Sequence, residues 1–165
     1  AIYLANVLGL DMGMFYKRRD YTQIVNGRNP IVAHEFLGSS VEGKDVIIID
    51  DMISSGDSII EVATELKRRK AKRIFAAATF GLFTNGLDKF DQAYEDGTIS
   101  GILTTNLIYQ TPALLSRPYY INCDMSKYIA LIIDTLNHDG SISSILSPDE
   151  RIQHVLQKYK NGETI

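Results

Sequence analysis

The chain is poor in the features that mark several common function classes. It holds one cysteine, Cys123, among 165 residues, which excludes an intramolecular disulfide, and no cysteine and histidine cluster has the spacing of a zinc site. That usage fits a reducing cytoplasm. Basic residues are not in excess: 17 Lys and Arg stand against 20 Asp and Glu, a net charge of −3. There is then no general attraction for nucleic acid or an anionic membrane, and any phosphate recognition must come from a local site, which points to a small ligand. No apolar run approaches the roughly 18 residues that span a bilayer, and no stretch of the sequence reads as a signal peptide with a charged start and a small-residue cleavage site. Repeats and low-complexity linkers are also missing. What remains is the composition of an ordinary globular chain, 45% hydrophobic and 22% charged, sufficient for one substantial core and one domain over residues 1–165. The first residue is Ala1 rather than Met and stands directly in a helical pattern, AIYLANVLG, which reads as part of something longer.

Helix-period and strand-like segments alternate along the chain, the pattern of an α/β layered fold with a largely parallel sheet. The first helix stops at Gly9 and a short strand follows in MGMFY. Residues Lys17 to Gly43 are polar and too long for a routine connection, so they form either a functional flap or a small hairpin excursion. DVIIID is continuously apolar and β-branched, as expected for a central strand covered on both faces. Ser58-Ile-Ile-Glu61 reads as a capping box opening a helix with Ile59, Val62, Ala63 and Leu66 on one face. Further on, RIFAAATFGLF is a strand, NGLDKFDQAYEDG a short helix with Leu87, Phe90 and Tyr94 inward, ILTTN and PYYIN are strands, and SKYIALIIDTLNHDG is an amphipathic helix. Ser147-Pro148-Asp149-Glu150 opens a terminal helix, with Pro148 at its first position and Ile152, Val155, Leu156 and Tyr159 on one face.

The stretch that carries chemistry is VIIIDDMISSGDS, from Val46 to Ser58. Ligands of open parallel sheets sit beyond the carboxyl ends of the strands, where Asp50 and Asp51 fall. Small residues in the following SSGDS let the backbone approach an anion, and a helix start adds positive potential. Ser54, Ser55 and Ser58 add hydroxyl donors. The natural reading of the loop is a phosphate cradle. Carboxylates repel phosphate, so the acid pair must serve differently, by accepting hydrogen bonds from sugar hydroxyls or by holding a magnesium ion that does so. Phosphate on the loop and hydroxyls on the acids describe a sugar phosphate. His34, His138, His154, Cys123 and Tyr109, Tyr119 and Tyr120 read more simply as incidental or structural residues.

This stretch resembles the phosphoribosyl diphosphate motif of the phosphoribosyltransferase fold. FYKRRD resembles the basic segment of the ribose-phosphate diphosphokinases, VEGKDVIIIDDM is similar to the way that family enters its motif, and AAATFGLF and LTTN stand where the family has comparable segments. The resemblance covers nearly the whole chain and corresponds to the second half of a two-half protein. It implies a three-layer phosphoribosyltransferase-like α/β fold, with a central mainly parallel sheet flanked by helices. It also implies transfer of the diphosphoryl group of ATP to the anomeric hydroxyl of ribose 5-phosphate, with Mg2+ as cofactor and AMP released. Carried onto this chain, Ser54, Ser55, Gly56, Asp57 and Ser58 would hold the 5-phosphate, Asp50 and Asp51 the ribose hydroxyls, and Lys17 and Arg19 the charge on the transferring group. Basic residues on a long loop would close over ATP once it is bound. The resemblance further implies a homo-oligomer completed by a first half of like fold. Ser54 and Asp57 depart from the family pattern, which has an acid and a small residue at these places. Two alternatives share the loop: a type I phosphoribosyltransferase, and a non-catalytic regulatory subunit.

Overall fold

The computed structural model describes residues 1–19, 31–146 and 148–163. In chain order its elements are α1 (Ile2–Leu8), β1 (Met14–Arg19), β2 (Ile31–Leu37), β3 (Asp45–Ile53), α2 (Asp57–Arg68), β4 (Arg73–Gly81), α3 (Asp88–Glu95), β5 (Gly101–Thr105), α4 (Pro112–Leu115), β6 (Tyr120–Cys123), α5 (Ser126–Asn137), α6 (Ser143–Leu146) and α7 (Asp149–Lys160). Four parallel strands run in the order β3-β4-β5-β6, so every crossover moves one place across the sheet. The α/β expectation holds. Lys17 to Gly43 is in part a hairpin excursion, because β1 and β2 pair antiparallel as a separate two-stranded sheet.

Alternation along β4 sends Ile74, Ala76 and Ala78 to one face, where they meet Ile102 of β5 and Ile59, Ala63 and Leu66 of α2. Phe90 and Ala93 of α3 close the same core. The alanines of β4 are small because α2 lies across them, and α2 packs against both β3 and β4.

The structure corrects several expectations. The apolar run of β3 belongs to the end of the described sheet order rather than its centre, and Ile47 is half exposed. An unbroken β-branched run favours a strand, but it does not by itself place that strand among its neighbours. Helix α2 begins at Asp57 with Gly56 as its cap, so Ser58 lies inside the first turn and no side chain caps it. In α3 the inward residues are Phe90 and Ala93, while Tyr94 is exposed and packs obliquely against Tyr119 at 5.3 Å. Pro148 precedes α7 instead of occupying its first position, and Ser147 lies outside the described residues. Val155 and Tyr159 are exposed, as is Tyr109, whereas Tyr119 is buried. Cys123 is half-buried. Among the described residues no helix is long and apolar enough to cross a membrane.

Asp91 ties α3 to the segment before β6. It accepts two hydrogen bonds from the Arg117 guanidinium, both at 2.8 Å, and a third at 2.6 Å from the Tyr119 hydroxyl. Burial pushes the Asp91 carboxyl up, but the Tyr119 and Arg117 hydrogen bonds and the Arg117 charge outweigh it and hold the group below its ordinary value of 3.8. Burial, then Asp91, drives the Tyr119 phenol upward. A carboxyl lowered on folding adds stability that is present above its unfolded value and lost as pH falls through its folded value. Urea midpoints should therefore drop below about pH 4, and Asp91→Asn should flatten part of that drop. An unchanged acid limb in Asp91→Asn would remove Asp91 from the account.

Candidate functional site

The hollow at the carboxyl end of β3 is built by the turn from that strand into α2. The Ile53 carbonyl accepts the Leu82 N–H at 2.8 Å and the Ser54 carbonyl accepts the Thr84 N–H at 3.0 Å, so the segment after β4 braces the loop from one side. The hydroxyls of Ser54 and Thr84 stand 3.4 Å apart. Gly56 takes a left-handed conformation with φ of 84° and lies over the Phe90 ring, where a Cβ would stand 2.1 Å from Cζ. Only glycine suits this position on both grounds. Its carbonyl accepts the Ile60 N–H at 3.0 Å and opens the helix. The preceding N–H groups of the first turn have no intrahelical acceptor, and with the helix dipole they favour an anion.

The hollow encloses about 110 Å³, and Asp50, Ser54, Ser55, Gly56 and Ser58 contribute to its lining. That is well short of the roughly 300–1,000 Å³ of sites that enclose a whole drug-sized ligand, and suits one small polar group. Asp50 is exposed, and one of its oxygens accepts the Asp51 N–H at 2.9 Å. Successive side chains of a strand leave opposite faces. Of the two acids Asp50 lines the hollow, and Asp51, also exposed, is not among its described lining residues.

Asp57 is brought to the loop but turned elsewhere. Lys89 of α3 donates to its Oδ1 and the Ser55 hydroxyl donates to its Oδ2 at 2.9 Å. The Lys89 hydrogen bond, then that of Ser55, holds the carboxyl below the usual range. Asp57 lines a different groove of about 350 Å³ between α2 and α3, together with Glu61, Thr64, Lys89, Gln92 and Asp96. Lys17 and Arg19 lie on β1, in register with His34 and Ile31 of β2. The base of that ribbon is anchored where Phe15 packs on the core and Arg69 stacks over Phe36 at 5.1 Å from the ring centre. Arg69 caps the carboxyl end of α2, opposite the end that forms the hollow. Among the described residues no group of three or more His, Cys, Asp or Glu side chains is placed to hold a metal ion.

The family model for the phosphoribosyl synthetase-associated domain matches residues 23–147, well over half of the chain. The chain belongs to the ribose-phosphate diphosphokinase family. It is 28% identical over 145 residues to a ribose-phosphate pyrophosphokinase of Vibrio parahaemolyticus, covering 87% of this chain and 43% of that protein. It is 32% identical over 108 residues to the Mycoplasma genitalium enzyme of the same name, covering 65% of this chain and 30% of that one. The chain thus spans less than half the length of these curated relatives. In fold, it is similar to the crystal structure of phosphoribosylpyrophosphate synthetase from Mycobacterium smegmatis, with a TM-score of 0.57 and 24% identity over 66% of this chain and 35% of that one. The four parallel strands and their flanking helices have the phosphoribosyltransferase-like fold.

Three pairings that shape the loop are not predicted by the sequence. Lys89 meets Asp57 across a separation of 32 residues, Thr84 meets Ser54 across 30, and Phe90 underlies Gly56. No spacing rule links such positions. Phe90 carried a signal as an inward helix residue, but nothing local tied it to the glycine.

Proposed function

We propose that this chain supplies the ribose 5-phosphate site of a ribose-phosphate diphosphokinase. In that reaction the anomeric hydroxyl of ribose 5-phosphate attacks the β-phosphorus of ATP, the bridge to the α-phosphorus breaks, and phosphoribosyl diphosphate and AMP result. The observation that carries the proposal is the hollow of about 110 Å³ lined by Ser54, Ser55, Gly56 and Ser58 at the start of α2 together with Asp50 at the end of β3. The 5-phosphate is assigned to the loop residues Ser54, Ser55, Gly56 and Ser58, and a ribose hydroxyl to Asp50. Asp51 follows it at the strand end and is assigned to the sugar's outer side. The assignment of Lys17 and Arg19 of β1 to the charge on the transferring group rests on the family resemblance, because the β1–β2 ribbon is anchored at the carboxyl end of α2 and not beside the hollow.

The adjacent carboxylates Asp50 and Asp51 would reach the sugar either directly or through a magnesium ion carried in with the nucleotide, since that ion is commonly held by one or two carboxylates together with substrate phosphates. Bound there, it would neutralise part of the ATP charge. Working within an oligomer alongside a first half of like fold is part of the same proposal. It is supported by α1, α5 and α7, none of which has a buried residue, and by Ile133 and Leu136 of α5, which are exposed.

Calorimetric titration of ribose 5-phosphate, with magnesium, into the chain and its Asp50→Ala variant tests the reading. Removing a charged hydrogen-bond acceptor from the sugar should weaken binding roughly tenfold or more. Equal binding by the two proteins, or none by the unaltered chain, would overturn it.

A further inference from the structure

A carboxylate one residue from a phosphate cradle should repel the anion it serves, yet this loop carries Asp57 immediately after Gly56. The structure shows how the side chain is disposed. Ser55, Gly56 and Ser58 line the hollow, while Asp57 lines the neighbouring groove between α2 and α3. On that side the Lys89 ammonium donates to one of its oxygens, and the Ser55 hydroxyl donates to the other at 2.9 Å. We propose that Lys89 is a positioning residue for the phosphate site, holding the Asp57 carboxylate turned out of the hollow and neutralising it, so that the loop can accept a phosphate monoester.

This inference rests on the proposed function of the hollow and deepens it. Lys89 acts through Asp57 and not on the ligand. Asp57 stands at the first position of α2, where a negative charge also favours the helix end. The loop therefore keeps an acid that suits its helix, and α3 supplies the cation that stops the same acid from opposing the anion. Lys89 and Asp57 are each about half exposed, so the effect is moderate and weakens with salt.

The test is calorimetric titration of ribose 5-phosphate into the unaltered chain, Lys89→Met, Lys89→Arg, Asp57→Asn and the double variant Lys89→Met/Asp57→Asn. Freeing one negative charge beside the site should weaken binding roughly three- to tenfold in Lys89→Met. Lys89→Arg should stay near the unaltered chain, and the double variant should match Asp57→Asn, because without the carboxylate there is nothing for Lys89 to restrain. A ligand-free reading comes from carbon NMR of the Asp57 carboxyl, whose titration should rise toward the ordinary value in Lys89→Met. Binding by Lys89→Met equal to that of the unaltered chain overturns the inference while leaving the phosphate site intact. A double variant as weak as Lys89→Met also overturns it, since Lys89 would then be touching the phosphate directly. No binding by the unaltered chain overturns the site assignment and this inference together.

Discussion

Gly56→Ala is expected to lower the unfolding free energy by about 2–5 kcal/mol, as the sum of an overpacking cost and a left-handed backbone cost, and to abolish ribose 5-phosphate binding. The new Cβ would stand 2.1, 2.7 and 2.9 Å from three carbons of the Phe90 ring. The ring has little freedom to retreat: it is 1% exposed and Phe83 packs on it edge to face at 5.1 Å. Gly43 supplies the control. It is also left-handed, with φ of 70°, but a Cβ there would meet nothing within 4 Å. Gly43→Ala should therefore carry the backbone cost alone, about 1–2 kcal/mol. Urea denaturation of both variants separates strain from collision, and equal losses would show that Phe90 yields without cost. Binding should fail in Gly56→Ala alone, because displacing the turn moves the Ser55 and Ser58 groups that line the hollow.

The parts of this molecule legible in the sequence are those decided locally. DVIIID had to be a strand, since its β-branched apolar run suits little else of that length, and the change to SSGDS had to be a turn into a helix. The position of β3 at the end of the described order is a property of strand order, which no single segment encodes. The sequence places the helix start two residues too late because Ser58 with Glu61 matches a capping box, while Gly56 takes the cap through a backbone conformation that a ring 34 positions later leaves room for. Asp57 shows the same limit at the site. Its charge was evident in the sequence and its direction was not, since the cation that turns it lies on another helix.

Phe90→Ala should cost about 3–5 kcal/mol, the range for truncating a large buried aromatic side chain. It removes the edge-to-face contact with Phe83 and empties the space between α3 and the turn, so the loss should appear in stability before it appears in chemistry. The more informative result is its coupling to Gly56. In the Phe90→Ala background the added methyl of Gly56→Ala finds the volume that the ring occupied, and only the left-handed backbone cost remains, about 1–2 kcal/mol. The double variant should then be more stable than the sum of the single losses predicts, by an amount in the range of about 0.5–3 kcal/mol seen for residues in contact. Simple additivity would mean that the turn is held by its backbone bonds to Leu82 and Thr84 and that the ring merely fills space. Positive coupling would instead identify Phe90 as the surface on which the loop is shaped. The glycine of the candidate phosphate cradle would then be required first by the core beneath it, with the anion's approach as the second reason.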